Sequence, residues 1–251
     1  MIASLASFAG VVQQEEDTPR GPSSWDWDVA WDILPDLLDG LWLTVQLTLV
    51  SVVLAAVLGL VLALLRRSRF RVVRWPVGLV VEFIRSTPLL VQLYFLFFVL
   101  PTVTLPAIPG LTDRIVLSAW QAAVIGLGVH YACYTSESYR AGIESVPQGQ
   151  WEAAVAVNLS TIETWRSVVL PQAIPTVIPA LGNYLVAAFK DAPLASVITL
   201  GGILTAAREI RSDTFRGVEA FTETGLLFLA VSIPAALFVR YLEKRYGYQR
   251  D

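Results

Sequence analysis

Five long apolar runs separated by polar or basic stretches dominate the chain. They cover about Leu41 to Leu65, Pro76 to Leu100, Ile115 to Tyr134, Ile174 to Leu200 and Phe221 to Val239. At 1.5 Å per residue, twenty to twenty-five helical residues reach roughly 30–37 Å, enough to cross the apolar core of a bilayer. Before the first run lies a different pattern, WDWDVAWDILPDLLDG, in which acids and large apolar residues interleave. Trp27, Trp31, Leu34 and Leu38 keep helical spacing there, predicting an amphipathic helix from Trp25 to Asp39 lying on the membrane surface. The chain thus divides into a polar N-terminal segment, 1–40, and a transmembrane domain, 41–251.

Composition supports the membrane reading. Apolar residues make up 55% and charged residues 16% of the 251, with a mean hydropathy of +0.60. A soluble domain is nearer one quarter charged. The net charge of −3 and the lack of a basic face exclude a nucleic-acid partner. A single cysteine, Cys133, and a single histidine, His130, exclude a disulfide framework and leave no metal-ligand set.

Charge placement predicts the orientation. Arg66, Arg67, Arg69, Arg71 and Arg74 follow the first run without an acid among them, and Arg240, Lys244 and Arg245 follow the last. Both clusters are expected inside, and the N-terminus, with eight acids and one base in forty residues, outside. Five spans with N-terminus out and C-terminus in satisfy this. The connection 101–114 and the stretch after the fourth run are then external, and the long connection 135–173 is cytoplasmic.

That connection carries its own helical pattern. Gln148 to Val157 is periodic, with Trp151, Ala154, Val155 and Leu159 on one stripe. A turn follows at Asn158, which suits a left-handed position. Ser160 and Glu163 then form a capping-box pattern opening a second helix, expected to stop near Leu170 before Pro171. A projecting helix-turn-helix with small side chains has the form of a docking element.

Several polar residues fall inside the apolar runs, where each is costly without a role or partner. Lys190-Asp191 sits in the fourth run, and Pro193 predicts a helix break beside it. Pathway lining, gating and a purely structural break are all compatible with that pattern. Asn183 and Tyr184 lie about two turns earlier. Glu82 and Arg85, at i,i+3, suit an intrahelix pair or a cytoplasmic gate. Gln92 suits cavity lining or subunit packing, and His130 a hydrogen-bonded interior position.

The segment WEAAVAVNLSTIETWRSVVLP resembles the EAA motif of ATP-binding-cassette importer permeases, with Glu152, Ala153, Ala154, Val168, Leu170 and Pro171 in register and Asn158 at the usual glycine. EFIRSTPLLVQLYFLFFVLP, YRAGIESVPQGQWEAA and PALGNYLVAAFKDAPLASVI are similar to signatures of polar amino-acid permeases. The resemblance runs from about Leu41 to Tyr246, and the wording is nearest to ectoine and hydroxyectoine permeases. It implies an all-α type I importer permease in the bacterial cytoplasmic membrane. A second permease subunit, self or paralogue, two ATPase subunits and an extracytoplasmic binding protein complete such an importer. The coupling loop is then 140–172, with Gln150, Trp151, Glu152, Ala153, Ala154, Val157 and Asn158 at the ATPase contact. From their placement in the apolar runs, Gln92, Asn183, Tyr184, Lys190, Asp191 and Leu194 are the candidate solute-pathway residues. ATP and its magnesium belong to the ATPase, since this chain has no phosphate loop of the Gly-rich Lys-Ser/Thr kind. The solute expected is ectoine or hydroxyectoine, or a proteinogenic amino acid such as glutamate, glutamine, arginine or histidine. A stand-alone secondary transporter would want inverted repeats and more spans.

The orientation is testable by labelling. A cysteine at Arg69, in a variant with Cys133 replaced, is expected to resist an impermeant thiol reagent in intact cells and to react after lysis. Reaction in intact cells would reverse the topology.

Overall fold

The computed structural model describes residues 25–102 and 115–246. Within them the chain forms helices and no strand. These are α1 (Trp27–Arg66), α2 (Arg71–Arg85), α3 (Leu89–Thr102), α4 (Ala119–Glu144), α5 (Gln148–Ala156), α6 (Thr161–Ile198), α7 (Ile203–Thr214) and α8 (Gly217–Tyr246). Residues 1–24, and nearly all of the connection expected outside after the second run, lie beyond the described residues.

Helix α1 is one unbroken rod of 40 residues. Asp26 starts it, its Oδ1 accepting from the backbone N–H of Asp28 and Val29 at 3.0 and 3.4 Å. The expected surface helix is the first part of this rod and has no separate axis. The stripe that packs on protein is not the expected one: Ile33 and Leu37 meet Ile203, Ala207 and Ile210 of α7, and Leu38 is exposed. Trp27, Trp31 and Trp42 remain on the exposed side. Helix α7 itself was not foreseen, because its residues are too polar to read as a span.

Further along, α1 buries small residues at Ser51, Ala55, Gly59 and Ala63, one per turn. That stripe lets α4 approach closely, as association in lipid favours. A Cβ on Gly59 would collide with Thr135 and come within 2.9 Å of the Ala132 carbonyl. Thr135 Oγ1 donates across the seam to Ala55 O at 3.0 Å.

Helix α4 lies at the centre. It opens with a capping box between Ser118 and Gln121 and buries thirteen residues, among them Ala122, Leu127, Tyr131 and Cys133. Helices α1, α3 and α6 cover it. Three helices are long and apolar enough to cross a membrane, α1, α6 and α8 (through Arg245), and the α2–α3 pair would be a fourth. The third expected run, Ile115 to Tyr134, falls on α4, which misses that measure. The physical reason is its position: a helix shielded by other helices need not be apolar, and His130, Thr135 and Ser136 are buried in it.

Two more expectations are corrected. The second run is not one straight helix, since α2 and α3 meet at a 105° bend across Ser86-Thr87-Pro88. Pro88 has no N–H and disfavours a helical residue before it. The helix opened by Ser160 does not stop before Pro171. It widens into a π-type turn at Trp165–Val169 and continues as α-helix from Leu170 to Asp191. The wider turn absorbs the donor that Pro171 lacks.

Close approach gives a signed prediction. A Cβ on Gly40 would meet the Ile203 and Gly202 backbone at 2.8–2.9 Å, whereas one on Gly225 of α8 meets nothing within 4 Å. Gly40→Ala is expected to destabilise the purified protein by about 1–3 kcal/mol despite better helix propensity. Gly225→Ala is expected to gain about 0.5–1 kcal/mol. Thermal unfolding in detergent measures both signs.

Candidate functional site

The polar interior is built where α3, α4 and α6 meet. On α4, His130, Tyr131 and Tyr134 fall on adjoining positions of one face. The His130 ring lies 5.4 Å from Tyr131 and 5.1 Å from Tyr134, centroid to centroid. Tyr184 of α6 completes the cluster, 6.2 Å from Tyr131 and 5.9 Å from Tyr134. The Tyr131 hydroxyl donates to Asp191 Oδ2 at 2.7 Å.

Gln92 closes this cluster on the α3 side. Its Nε2, with two protons to donate, lies 2.8 Å from Ile84 O, 3.1 Å from Thr87 O and 2.8 Å from Thr87 Oγ1. Carbonyl oxygens only accept, so the amide nitrogen faces the bend and Oε1 faces His130 Nδ1 at 3.1 Å. The Nδ1 proton is thereby required on His130. His130 is the hydrogen-bonded interior residue its isolation from other metal ligands suggested.

The predicted pathway residues do not all converge. Gln92, Tyr184 and Asp191 do. Leu194 packs against the apolar cluster around Leu93 and Leu127. Asn183 points elsewhere, donating to Glu243 Oε1 of α8 at 3.1 Å, and Lys190 is exposed. Lys190 and Asp191 form no ion pair with each other; Asp191 is satisfied by Tyr131. Their expected helix break is a tightening: α-helical bonding ends at Asp191 and a 3-10 turn runs from Ala192 to Ile198, with Pro193 in its first turn. Tyr131 and Tyr134 were missed, although the spacing HYACY inside an apolar run was the available signal.

Where α1, α2 and α4 end, charges gather on Glu137. It pairs with Arg66 of α1, with Arg140 at 2.9 Å and with Arg85 of α2 at 3.6 Å. Arg85 also pairs with Glu82 at 3.3 Å, as their spacing suggested, and lies 5.3 Å over the Tyr134 ring. Arg140 reaches Glu144 at 2.6 Å. Glu137 was not foreseen, because Arg66 is 71 residues away in sequence.

The projecting turn has the expected ends. Asn158 adopts φ 54°. Its N–H bonds to Val155 O at 2.9 Å and that of Leu159 to Ala154 O at 3.0 Å, a Schellman motif. Ser160 and Glu163 form the capping box, and these hydrogen bonds hold the Glu163 carboxyl below its usual range. The face is partly different from the expected one. Ala154 is 2% exposed, Trp151 packs edge-on against Trp165 at 5.5 Å, and Val155 is 72% exposed. A nine-residue helix seated through Trp151 on the Trp165 indole turns only a narrow stripe inward. Gln150, Glu152, Ala153, Val157 and Asn158 face outward. Arg67 at the end of α1 sits 5.9 Å over the Trp165 ring.

A model of the binding-protein-dependent transport system inner membrane component matches residues 55–248. The chain belongs to that family. Among relatives of this permease, a probable amino-acid ABC transporter permease protein of Sinorhizobium fredii, y4tG, is 43% identical over 181 residues, 72% of this chain and 74% of that protein. The nopaline transport system permease protein NocM of Agrobacterium fabrum is 36% identical over 186 residues, 72% and 75% of the two chains. The L-cystine transport system permease protein TcyB of Bacillus subtilis is 33% identical over 184 residues, 73% and 74%. The permease also superposes on the crystal structure of an amino acid ABC transporter with histidines, with a TM-score of 0.79 at 29% identity over 88% of this chain and 99% of that one. It is a multi-pass inner-membrane permease of the ABC importer class with the type I fold. Its family works with ATPase and binding-protein partners.

Glu137→Gln is expected to leave three arginines short of a counter-charge. With the carboxylate side chain 19% exposed, the loss is about 1–3 kcal/mol, read as a lower melting temperature of the purified complex. An unchanged melting temperature would reduce the cluster to a surface contact.

Proposed function

We propose that this permease moves a small zwitterionic amino acid or amino-acid-like compatible solute inward past Gln92, Tyr184 and Asp191. One observation carries the reading: three tyrosine rings share one cluster, and one of them, Tyr131, donates its hydroxyl to the half-buried Asp191 carboxylate. Tyrosine faces attract cations, more strongly where water is excluded, and Asp191 adds a full negative charge. The cationic end of a zwitterion fits that surrounding. Ectoine and hydroxyectoine carry a delocalised amidinium beside a carboxylate, and they are the solutes we favour. Ala192, next to Asp191, brings no side-chain donor to the site. A proteinogenic amino acid such as glutamate, glutamine, arginine or histidine is the second reading. Relatives named for L-cystine and glutamine transport support it.

Drive comes from outside the chain in this proposal. Two ATPase subunits receive the outward face of α5, and closure on ATP moves that helix. Its rigid seat on Trp165 passes the displacement into α6, which carries Tyr184 and Asp191. A second permease subunit, self or paralogue, completes the pathway, and an extracytoplasmic binding protein delivers the solute.

Uptake by the reconstituted complex tests this. Asp191→Asn keeps the shape and the acceptor for Tyr131 but removes the charge, and is expected to lower uptake at least about tenfold, the weight of one 1.4 kcal/mol interaction. ATPase copurification is expected to stay normal. Val155→Glu, on the outward face of α5, is expected to show the converse: normal insertion, with ATPase copurification and uptake both lost. Full uptake in Asp191→Asn would remove the carboxylate from the pathway.

A further inference from the structure

A second polar site lies away from the tyrosine cluster. Between the end of α1, the length of α2 and the end of α4 opens a cleft of about 370 Å³, lined by Arg66, Arg74, Arg140, Trp75, Leu79 and Glu82 over Gly78. Two of these arginines are committed to Glu137. Arg74 is exposed and has no ion pair among the described residues. In the connected group, four arginines (66, 74, 85 and 140) face three glutamates (82, 137 and 144). One positive charge is left over.

The helix that forms the cleft has an interfacial pattern. Only Val81 of α2 is buried. Val72, Trp75, Leu79 and Phe83 lie on one exposed face, at 86, 71, 54 and 68% exposure, and Arg74, Gly78 and Glu82 lie beside it. The 105° bend turns this helix away from the line of α3. An amphipathic helix so placed buries its apolar face at the acyl boundary and its arginines at headgroup level. The cleft therefore borders both an apolar strip and a surplus cation. The space over Gly78 is open, since a Cβ there would meet nothing within 4 Å.

We propose that this cleft binds the phosphodiester of an anionic phospholipid, with Arg74 as the charge-bearing contact and Trp75 and Leu79 against the glycerol and upper acyl chain. Guanidinium matches a phosphate in a paired, planar geometry, and one surplus charge matches one phosphodiester. A bound lipid would neutralise the cluster that joins α1, α2 and α4.

The experiment is lipid retention by the purified complex, reconstituted in phosphatidylglycerol and phosphatidylcholine in equal parts and analysed by native mass spectrometry. Wild type is expected to retain phosphatidylglycerol over phosphatidylcholine. Arg74→Gln is expected to lower that preference about fivefold, the weight of one basic residue near a headgroup. Gly78→Phe keeps every charge and is expected to lower it as much by filling the cleft. Inorganic phosphate, added in millimolar excess, is expected not to displace the lipid. Equal retention of the two lipids by wild type, unchanged preference in both variants, or displacement by inorganic phosphate alone would each overturn the proposal.

Discussion

The course of α2 depends on the helix break at residues 86–88 and on the Gln92 side chain that bridges it. At the interruption Ser86-Thr87-Pro88 the Ile84 carbonyl accepts from the Thr87 N–H and lies within reach of its hydroxyl, and lipid offers the freed backbone no further partner. Gln92 returns from the next helix to the Ile84 and Thr87 carbonyls, and its other end rests on His130. With the break satisfied internally, α2 is free to turn through 105°. That turn brings Arg85 to Glu137 and carries the arginines of α2 to the ends of α1 and α4. A straight second helix would do neither.

Burial runs opposite to a soluble protein's habit. The central helix α4 is the one that misses the apolar measure of a span, while α1 and α8 expose Val53, Leu60, Leu226 and Phe238 on their outer faces. Small residues replace apolar bulk as the device for contact: Gly59 against Thr135, Gly128 against Leu54, Gly142 against Val177. Each pair brings two helices close enough for polar bonds such as Thr135 to Ala55.

Local chemistry was legible in the sequence wherever a signal and its partner lie within one turn. The capping box at Ser160 and Glu163, the left-handed Asn158 and the Glu82–Arg85 pair are of that kind. Long-range partners were not legible. Nothing local says that Ile33 meets Ile203, that Glu137 gathers Arg66, or that Asn183 turns to Glu243 while its neighbour Tyr184 turns to the tyrosines. Prolines misled twice: Pro171 was absorbed by a π-type turn and Pro193 by a 3-10 turn. At Pro88 the opposite happened, and a run that reads as continuous is sharply bent. The polar cluster followed the same rule: Gln92, Tyr184 and Asp191 were picked out by their place in apolar runs, and Tyr131 and Tyr134, whose partners are distant in sequence, were not.

The bend is open to a direct distance measurement. Spin labels at Val72 and Phe98, both exposed, sit on either side of it. In a complex carrying one labelled subunit, with Cys133 replaced, pulsed dipolar spectroscopy reads their separation. A 105° bend places the two backbones about 24 Å apart, and an unbroken helix about 39 Å apart at 1.5 Å per residue. A distribution centred near 24 Å in wild type that lengthens and broadens in Gln92→Leu is the expected result. A single distance near 39 Å would contradict the account.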